Sequence, residues 1–226
     1  MKLSTTLRFY IFTIAFVVFA IVASEAAAGN YKNFKGSSYI MVRDVEKIAK
    51  DKDHGEQQWK TISSQLDLDK IYIETYRDGF TIDEKSLKEV IAFFKKKGLE
   101  IGGGVTLTST RPGQYPTFSY AVPEDREKVK EIIGLTARYF DEIILDDFFF
   151  IDIKNDEEIA ATGDKSWTEY RLELMDKAGK ELVADHAHKI NPNCKVIIKY
   201  PNWYDHFQGL GFKLFPLQAG NLNHSH

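Results

Sequence analysis

Short runs of β-branched and aliphatic residues alternate along this chain with longer segments in which apolar residues recur every three or four positions. Runs of the first kind predict five strands, at residues 39–42, 70–75, 100–107, 140–146 and 195–200. Segments of the second kind predict four helices, at residues 55–66, 83–98, 123–139 and 167–190. Strands that alternate with helices, without a hairpin signal between them, indicate a parallel sheet built from βα units.

Polar and aromatic residues gather at the C-terminal end of each predicted strand or directly after it, at residues 43–44, 74–77, 106–111, 146–147 and 199–204. In a (β/α)8-type barrel this edge carries the active site, which is built from several strands at once. Glycine-rich phosphate-binding loops, which mark open nucleotide-binding sheets, do not occur in the sequence. We therefore predict an α/β fold of the (β/α)8-type barrel class, with an open five-stranded parallel α/β sheet as the alternative.

The length of the chain does not accommodate eight such units. Eight repeats at this strand spacing would need about 300 residues, whereas the chain has 226. Residues 213–226 lack periodicity and are almost uncharged. We therefore expect an incomplete barrel of about five βα units at residues 29–212. The remaining residues, 213–226, are expected to be an irregular, non-native tail from a truncated, mis-spliced or frameshifted reading frame.

The first residues are typical of a targeting segment. Lys2 and Arg8 precede a charge-free apolar stretch at residues 9–23, which is followed by small residues. This order is that of a secretory signal peptide, so we expect residues 1–28 to be cleaved. An uncleaved signal anchor is the alternative, because the stretch is only slightly shorter than a membrane-spanning helix. The globular part is then secreted (extracellular or periplasmic), or else membrane-anchored by its N-terminal segment.

Charge and composition narrow the range of partners. The net charge is −3, with acidic and basic residues spread evenly, which argues against nucleic-acid binding. Cys194 is the only cysteine and cannot form an internal disulfide, and no Cys/His spacing predicts a metal site, so we expect no cofactor. The 16 Phe, 11 Tyr and 3 Trp residues suit a deep core and also a pocket that stacks flat ligand faces.

Asp146 and Asp147 stand at the end of the apolar run that forms the fourth predicted strand. A buried carboxylate is costly unless it is paired or hydrogen-bonded, so their position calls for a reason. Because side chains alternate along a strand, one acid should face the barrel mouth and the other a loop or a helix N-terminus. In the alternative interpretation both acids cap the next segment or pair with Arg77 or Lys199.

In this architecture, residues 37–211 resemble the glycoside hydrolases, whose barrels carry carboxylates at strand ends and aromatic residues around the mouth. The segment FDEIILDDF also resembles the chitinase-type signature of strand four. Asp141 and Asp146 match two acids of that signature. Ile144 stands at its middle acid and Phe148 at its catalytic Glu, and this departure argues against chitinase chemistry. In another large group of these enzymes a later strand carries the nucleophile, which would place the second carboxylate beyond residue 226.

The resemblance implies a reaction that needs two carboxyl groups, about 5–5.5 Å apart for retention or 6.5–9.5 Å apart for inversion. The candidate catalytic residues are Asp147, Asp146 and Glu74. The second and fourth predicted strands are not neighbours, so we expect the wider spacing for a pair that includes Glu74. Arg77 or Lys199 would lower the pKa of one carboxyl group, while apolar neighbours would raise the pKa of the other.

Residues that follow the second and fifth strands are candidate substrate contacts, namely Tyr76, Arg77, Lys199, Asn202, Trp203 and Tyr204. Trp203 and Tyr204 would stack on a sugar face, and Asn202 would hydrogen-bond to sugar hydroxyls. Trp203 could instead plug the end of the barrel. Of the two tyrosines near the end of the second strand, we expect Tyr72 rather than Tyr76 in the core.

These observations lead to three functional hypotheses. In the first, the chain is a secreted protein of the glycoside-hydrolase type that binds or hydrolyses a carbohydrate, unless truncation has left it inactive. In the second, it is a non-catalytic carbohydrate-binding protein, secreted or membrane-anchored. In the third, it is an intact five-stranded domain with another hydrolase activity. In all three the membrane is contacted only through the N-terminal segment, and only where that segment is not cleaved.

Overall fold

The computed structural model describes residue 31 and residues 33–112, 116–151 and 153–199. The strands of its sheet are β1 (Ser37–Ile40), β2 (Lys70–Arg77), β3 (Phe80–Thr81), β4 (Glu100–Val105), β5 (Glu142–Leu145) and β6 (Lys195–Ile198). Its helices are α1 (Val42–Lys50), α2 (Lys52–Ser63), α3 (Glu84–Lys95), α4 (Pro123–Tyr139), α5 (Asp156–Thr162), α6 (Trp167–Ala178) and α7 (Asp185–Ile190). A π-helical segment (Gly179–Ala184) joins α6 to α7.

The five longer strands are parallel and lie in the order β1-β2-β4-β5-β6, so each one pairs with the next parallel strand along the chain. A doubly wound sheet reverses its strand order, whereas successive units of a barrel wind in one direction. Within the described residues the sheet does not close, and β1 and β6 form its edges. The predicted parallel α/β fold of about five units is therefore confirmed, as an open sheet with the winding of a barrel.

The helices that contact the sheet pack on one of its faces. Ile71 and Ile73 of β2 lie in one apolar cluster with Val45 of α1 and Leu87 of α3. The corresponding residues of β4, β5 and β6 lie in a second cluster with α4 and the α6–α7 segment. Burial of each such aliphatic side chain stabilises the fold by roughly 1.5–3 kcal/mol, so the helix face holds the sheet together. The opposite face is left free for polar side chains.

Two tyrosine rings lie across glycines on that opposite face. A Cβ on Gly102 would stand 2.5 Å from the ring of Tyr72, and a Cβ on Gly104 would stand 2.5 Å from the ring of Tyr39. No side chain other than hydrogen fits under either ring without displacing it. The glycine run of β4 thus allows the two tyrosine rings to approach the backbone of the sheet closely.

The helix starts follow from local sequence. Asp83 precedes α3, and its side chain accepts a hydrogen bond from the Ser86 amide at 2.9 Å. Ser166 and Glu169 form a capping box at the start of α6. Helix α4 begins at Pro123, where the missing amide hydrogen costs nothing. These signals explain why the bounds predicted for the helices at 123–139 and 167–190 are confirmed.

The sequence prediction omits three elements, β3, α1 and α5. Strand β3 pairs antiparallel with β2, with Tyr76 opposite Thr81, so the expectation of no hairpin is wrong. Asp78 and Gly79 form the turn, with positive φ values of 51° and 77°, and an Asp-Gly pair is a strong hairpin signal. Helices α1 and α5 are the other omissions. Helix α1 begins two residues after β1 ends, and α5 lies between β5 and α6.

Candidate active site

Glu74 lies near the C-terminal end of β2 and is completely buried. Its Oε1 accepts hydrogen bonds from the Tyr39 hydroxyl at 2.8 Å and the Thr106 hydroxyl at 2.5 Å. Its Oε2 accepts from the amide of Val42, the first residue of α1, at 2.6 Å. Arg77 Nε donates to both oxygens, at 3.0 and 3.2 Å. The carboxylate is therefore saturated with donors and closed to solvent, which suits a group that holds others in place.

Arg77 connects Glu74 to Asp146 at the end of β5. Its Nη2 atom lies 2.9 Å from Glu74 Oε1 and 3.1 Å from Asp146 Oδ2. Since both distances end on one nitrogen, the two carboxylate oxygens are at most about 6 Å apart, closer than the inverting spacing of 6.5–9.5 Å. The guanidinium group occupies the space between them. Because Glu74 is also completely buried, Glu74 and Asp146 are bridged carboxylates rather than a pair that faces a common ligand.

Asp146 and Asp147 are both reached by one ammonium group. Lys199 Nζ lies 2.9 Å from Asp146 Oδ1 and 3.1 Å from Asp147 Oδ1. The sequence-based expectation that the two acids diverge is thus not met, and the alternative of pairing with Arg77 and Lys199 describes the contacts. The side chains of Asp146 and Asp147 are 18% and 27% exposed, and that of Lys199 is 49% exposed. Unlike Glu74, both aspartates can be approached from solvent.

The charges in this cluster stabilise one another. Burial alone would raise the pKa of Asp146, but hydrogen bonds from Lys199 and Arg77 outweigh it and lower the pKa below its usual value. The pKa of Lys199 is raised, mainly by its hydrogen bond to Asp146. Burial, followed by the nearby negative charge of Glu74, raises the pKa of Tyr39. At neutral pH the cluster therefore contains an ionised Asp146, an ammonium group and a neutral phenol.

The prediction for the two tyrosines of β2 is reversed in the structure, since Tyr76 and not Tyr72 lies in the core. Tyr76 is only 2% exposed and lies in the apolar core, where its hydroxyl donates to the Thr108 carbonyl at 2.8 Å. Burial raises the pKa of Tyr76 to about 12, so it is a neutral core residue without access to a ligand. Tyr72 lies on the polar face and donates to Glu142 at 2.6 Å. A one-residue register shift between Glu74 and Tyr76 turns Tyr76 to the helix-covered face of the sheet, whereas Tyr72 stays on the opposite face.

The structure therefore brings together five of the nine candidate site residues, Glu74, Arg77, Asp146, Asp147 and Lys199. Tyr76 lies apart from them in the core. The remaining three, Asn202, Trp203 and Tyr204, lie outside the described residues. The segment at residues 1–28 and the tail at residues 213–226 lie outside them as well.

A second buried carboxylate, that of Glu158, joins the loops that follow β4 and β5. Glu158 lies in α5, is completely buried, and accepts hydrogen bonds from the hydroxyls of Ser119 and Tyr170, the latter at 2.5 Å. Ser119 belongs to the loop after β4, and its amide also donates to Asp125 at 2.6 Å. These contacts hold the two loops together at the C-terminal edge of the sheet.

Sequence reasoning missed Tyr39, Thr106 and Glu158. Tyr39 and Thr106 each lie on a predicted strand. Which of the alternating side chains share a face of the sheet with Glu74 becomes known only from the register between the strands. Glu158 lies in an acidic run, which predicts an exposed segment. Its neighbour Glu157 is exposed, but Glu158 itself is buried. Asn155, whose side chain accepts from the Glu158 amide at 2.9 Å, is the helix-start signal that orients it.

Among the described residues, no group of three or more His, Cys, Asp or Glu side chains is arranged to hold a metal ion.

None of the helices in the described part of the chain is both long and apolar enough to cross a membrane.

Comparison with known proteins agrees with this architecture. The chain is 25% identical over 178 residues to an uncharacterised protein of Saccharolobus solfataricus, and the match covers 66% of this chain and 30% of that protein. The chain thus spans less than a third of the length of this relative. Residues 23–218 match the family described as "Probable glycosyl hydrolase, catalytic domain". This match covers most of the sequence, so the chain belongs to that family of probable glycosyl hydrolase catalytic domains.

Proposed function

We propose that this domain binds and hydrolyses a carbohydrate at the C-terminal edge of its sheet, with Asp146 and Asp147 as the reacting carboxyl groups. The observation that carries the proposal is that Lys199 holds both partly exposed aspartates in a chain of the glycosyl hydrolase family. The oxygens that Lys199 contacts are at most about 6 Å apart, a distance within which the 5–5.5 Å carboxyl separation of retaining enzymes falls.

In this scheme Asp146 supplies the negative charge. Hydrogen bonds from Lys199 and Arg77 outweigh the effect of burial and lower the pKa of Asp146, so it is ionised at neutral pH. It can therefore attack the anomeric carbon or stabilise the positive charge that develops on the sugar ring. Asp147 gives its proton to the glycosidic oxygen as the bond to the anomeric carbon breaks, and regains a proton from the water that completes hydrolysis.

The remaining candidate residues have supporting roles. Arg77 and Lys199 donate hydrogen bonds to sugar hydroxyls, which are good acceptors for charged donors. Trp203 and Tyr204 stack on a sugar face and Asn202 hydrogen-bonds to its hydroxyls, since these residues follow Lys199 closely in the sequence. Glu74 contacts no substrate because it is completely buried, and its role is to hold Arg77.

The test is hydrolysis by the full chain of a panel of chromogenic glycosides and polysaccharides, with reducing-end release as a second readout. We expect Asp146→Asn and Asp147→Asn each to lower kcat by at least about 100-fold. Glu142→Gln is the matched control, because Glu142 begins β5, the strand that Asp146 and Asp147 follow, and is also ion-paired, with Lys70 at 2.8 Å. Unchanged turnover in both aspartate variants would exclude these residues as the reacting groups.

A non-catalytic carbohydrate-binding protein is the second candidate. The observation in its favour is that Asp146 is engaged by two cations, Arg77 and Lys199, and so is not free to act. Isothermal titration with oligosaccharides separates the two candidates. Saturable binding without hydrolysis of any substrate in the panel would favour this second function, and binding with turnover would favour the first.

We also propose that the protein is secreted, on the basis of the basic and apolar N-terminal segment. Expression of the full chain in a host with an active secretory system, followed by mass spectrometry of the N-terminus, tests this. A mature chain that begins between residues 24 and 29 is the expected result. An intact N-terminus in the membrane fraction would support a signal anchor, and an intact chain in the cytoplasm would contradict both.

A further inference from the structure

Tyr39 is placed at the candidate active site by its position across a glycine. The ring lies so close to Gly104 that a Cβ there would stand 2.5 Å from Tyr39 Cε2. This position carries the Tyr39 hydroxyl across the sheet from β1. The hydroxyl donates to Oε1 of Glu74, on β2, at 2.8 Å and lies 3.4 Å from the Thr106 hydroxyl. Any side chain on Gly104 would push the ring, and with it the hydroxyl, out of this position.

The oxygen that Tyr39 contacts is shared. Glu74 Oε1 receives the hydroxyls of Tyr39 and Thr106, and Arg77 Nη2 lies 2.9 Å from the same atom. Arg77 Nη2 is itself divided between Glu74 and Asp146, at 2.9 and 3.1 Å. If the Tyr39 hydroxyl is removed, Thr106 and the guanidinium group are the remaining side-chain donors to this oxygen. Thr106 already lies at 2.5 Å, so the guanidinium group, which Glu74 shares with Asp146, is the donor that can move closer. A shift of Arg77 toward Glu74 is a shift away from Asp146.

We propose that Tyr39 is a positioning residue for Asp146, because its hydroxyl satisfies Glu74 and so leaves Arg77 available to the aspartate. This inference rests on the proposed function only in treating Asp146 as a reacting group. The charged and titratable groups that face Asp146 are Arg77 on β2, Lys199 after β6, and more remotely Glu74 and the phenol of Tyr39. Asp147 shares Lys199 with it.

Tyr72 provides a matched control within the same face. Its ring lies across Gly102 as Tyr39 lies across Gly104, and its hydroxyl donates to a carboxylate, that of Glu142, at 2.6 Å. Glu142 begins β5, whereas Asp146 directly follows the last residue of that strand. Replacement of either tyrosine by phenylalanine removes one hydroxyl that donates to a carboxylate. Only the change at Tyr39 removes a donor from Glu74, the carboxylate that holds Arg77.

The experiment is a carboxyl-carbon NMR titration of Asp146 in the full chain, assigned with Asp146→Asn. In Tyr39→Phe we expect the midpoint of Asp146 to rise by about half a pH unit, because Arg77 moves toward Glu74. In Tyr72→Phe it should stay at the wild-type value. In Glu74→Gln it should fall, because one negative charge disappears and Arg77 is released to Asp146.

An unchanged midpoint in Tyr39→Phe, or an equal rise in Tyr72→Phe, would overturn the proposal. If circular dichroism shows that Tyr39→Phe does not fold, Glu74→Gln decides alone, and a midpoint that does not fall would overturn it. Where the wild type hydrolyses a glycoside, the acidic limb of its pH–rate profile should move with the midpoint in each variant. Absence of hydrolysis would remove the proposed function, while the titration would still decide the role of Tyr39.

Discussion

Replacement of Glu158 by alanine should destabilise the fold far more than the same change at its neighbour Glu157. The Glu158 carboxylate is completely buried and accepts hydrogen bonds from the Ser119 and Tyr170 hydroxyls. Its removal leaves both hydroxyls without this acceptor in a buried site. Each buried donor that loses its partner costs about 1–3 kcal/mol, so the expected loss in the free energy of unfolding is about 3–4 kcal/mol.

The assay is thermal and urea unfolding of the full chain, followed by far-UV circular dichroism. For a chain of this size, about 3–4 kcal/mol corresponds to a fall in Tm of roughly 6–15 °C. Glu157 is exposed and lies in the same first turn of α5, so Glu157→Ala removes the same group and the same helix-dipole contribution. That control should lie within about 0.5 kcal/mol of the wild type.

A double-mutant cycle with Ser119→Ala isolates the contact between the two loops. If the hydrogen bond to Glu158 is formed as described, the coupling energy between the two changes should be about 1 kcal/mol. A loss of stability in Glu158→Ala no larger than that in Glu157→Ala would contradict a stabilising role for the buried carboxylate. A cycle that shows no coupling would mean that the loops after β4 and β5 are not joined through this carboxylate.

Further predictions concern three other positions. Gly104→Ala should lower the free energy of unfolding by about 1–3 kcal/mol, because the added Cβ would overlap the Tyr39 ring, and urea unfolding measures this. The pKa of the Cys194 thiol is raised to about 11 by burial, so its reaction with Ellman's reagent at pH 8 should be at least about 100-fold slower in the native chain than in urea. Lys199→Met should lower stability at pH 7 but much less at pH 2, as judged by urea midpoints, because the low pKa of Asp146 stabilises the fold above the unfolded-state pKa of about 4. This contribution is lost as the pH falls through the lower pKa that Asp146 has in the folded state.

The two substitutions, Gly104→Ala and Lys199→Met, each have a control that separates the proposed contact from a general loss of stability. Gly102→Ala should displace Tyr72 instead of Tyr39, and should therefore leave the titration of Asp146 unchanged while lowering stability. Lys195→Met removes an exposed cation from the opposite end of β6. The loss of stability that it causes should not differ between pH 7 and pH 2 as the loss in Lys199→Met does. A pH-dependent loss equal to that of Lys199→Met would contradict the role given to Lys199.

Sequence periodicity was sufficient for most of the fold because each element carries its own local signal. The apolar run of β5, the proline that starts α4 and the capping box of α6 act over a few residues, and their consequences need no distant partner. Strict alternation of strands and helices then leaves a parallel sheet as the simple solution. The Asp78-Gly79 turn was equally local, and the β2–β3 hairpin could have been read from it.

The residue types at the C-terminal edge also follow from the sequence, and five of the candidate residues do meet there. Their roles depend on the tertiary structure. Whether Glu74 is exposed or buried depends on donors from β1, from Thr106 directly after β4 and from the first residue of α1, which are separated from it by about 30 residues or more. Whether Tyr72 or Tyr76 lies in the core depends on a register shift between two strands. Both are properties of pairing between distant segments, and because a shift of one residue turns a side chain to the other face of the sheet, no local pattern contains them.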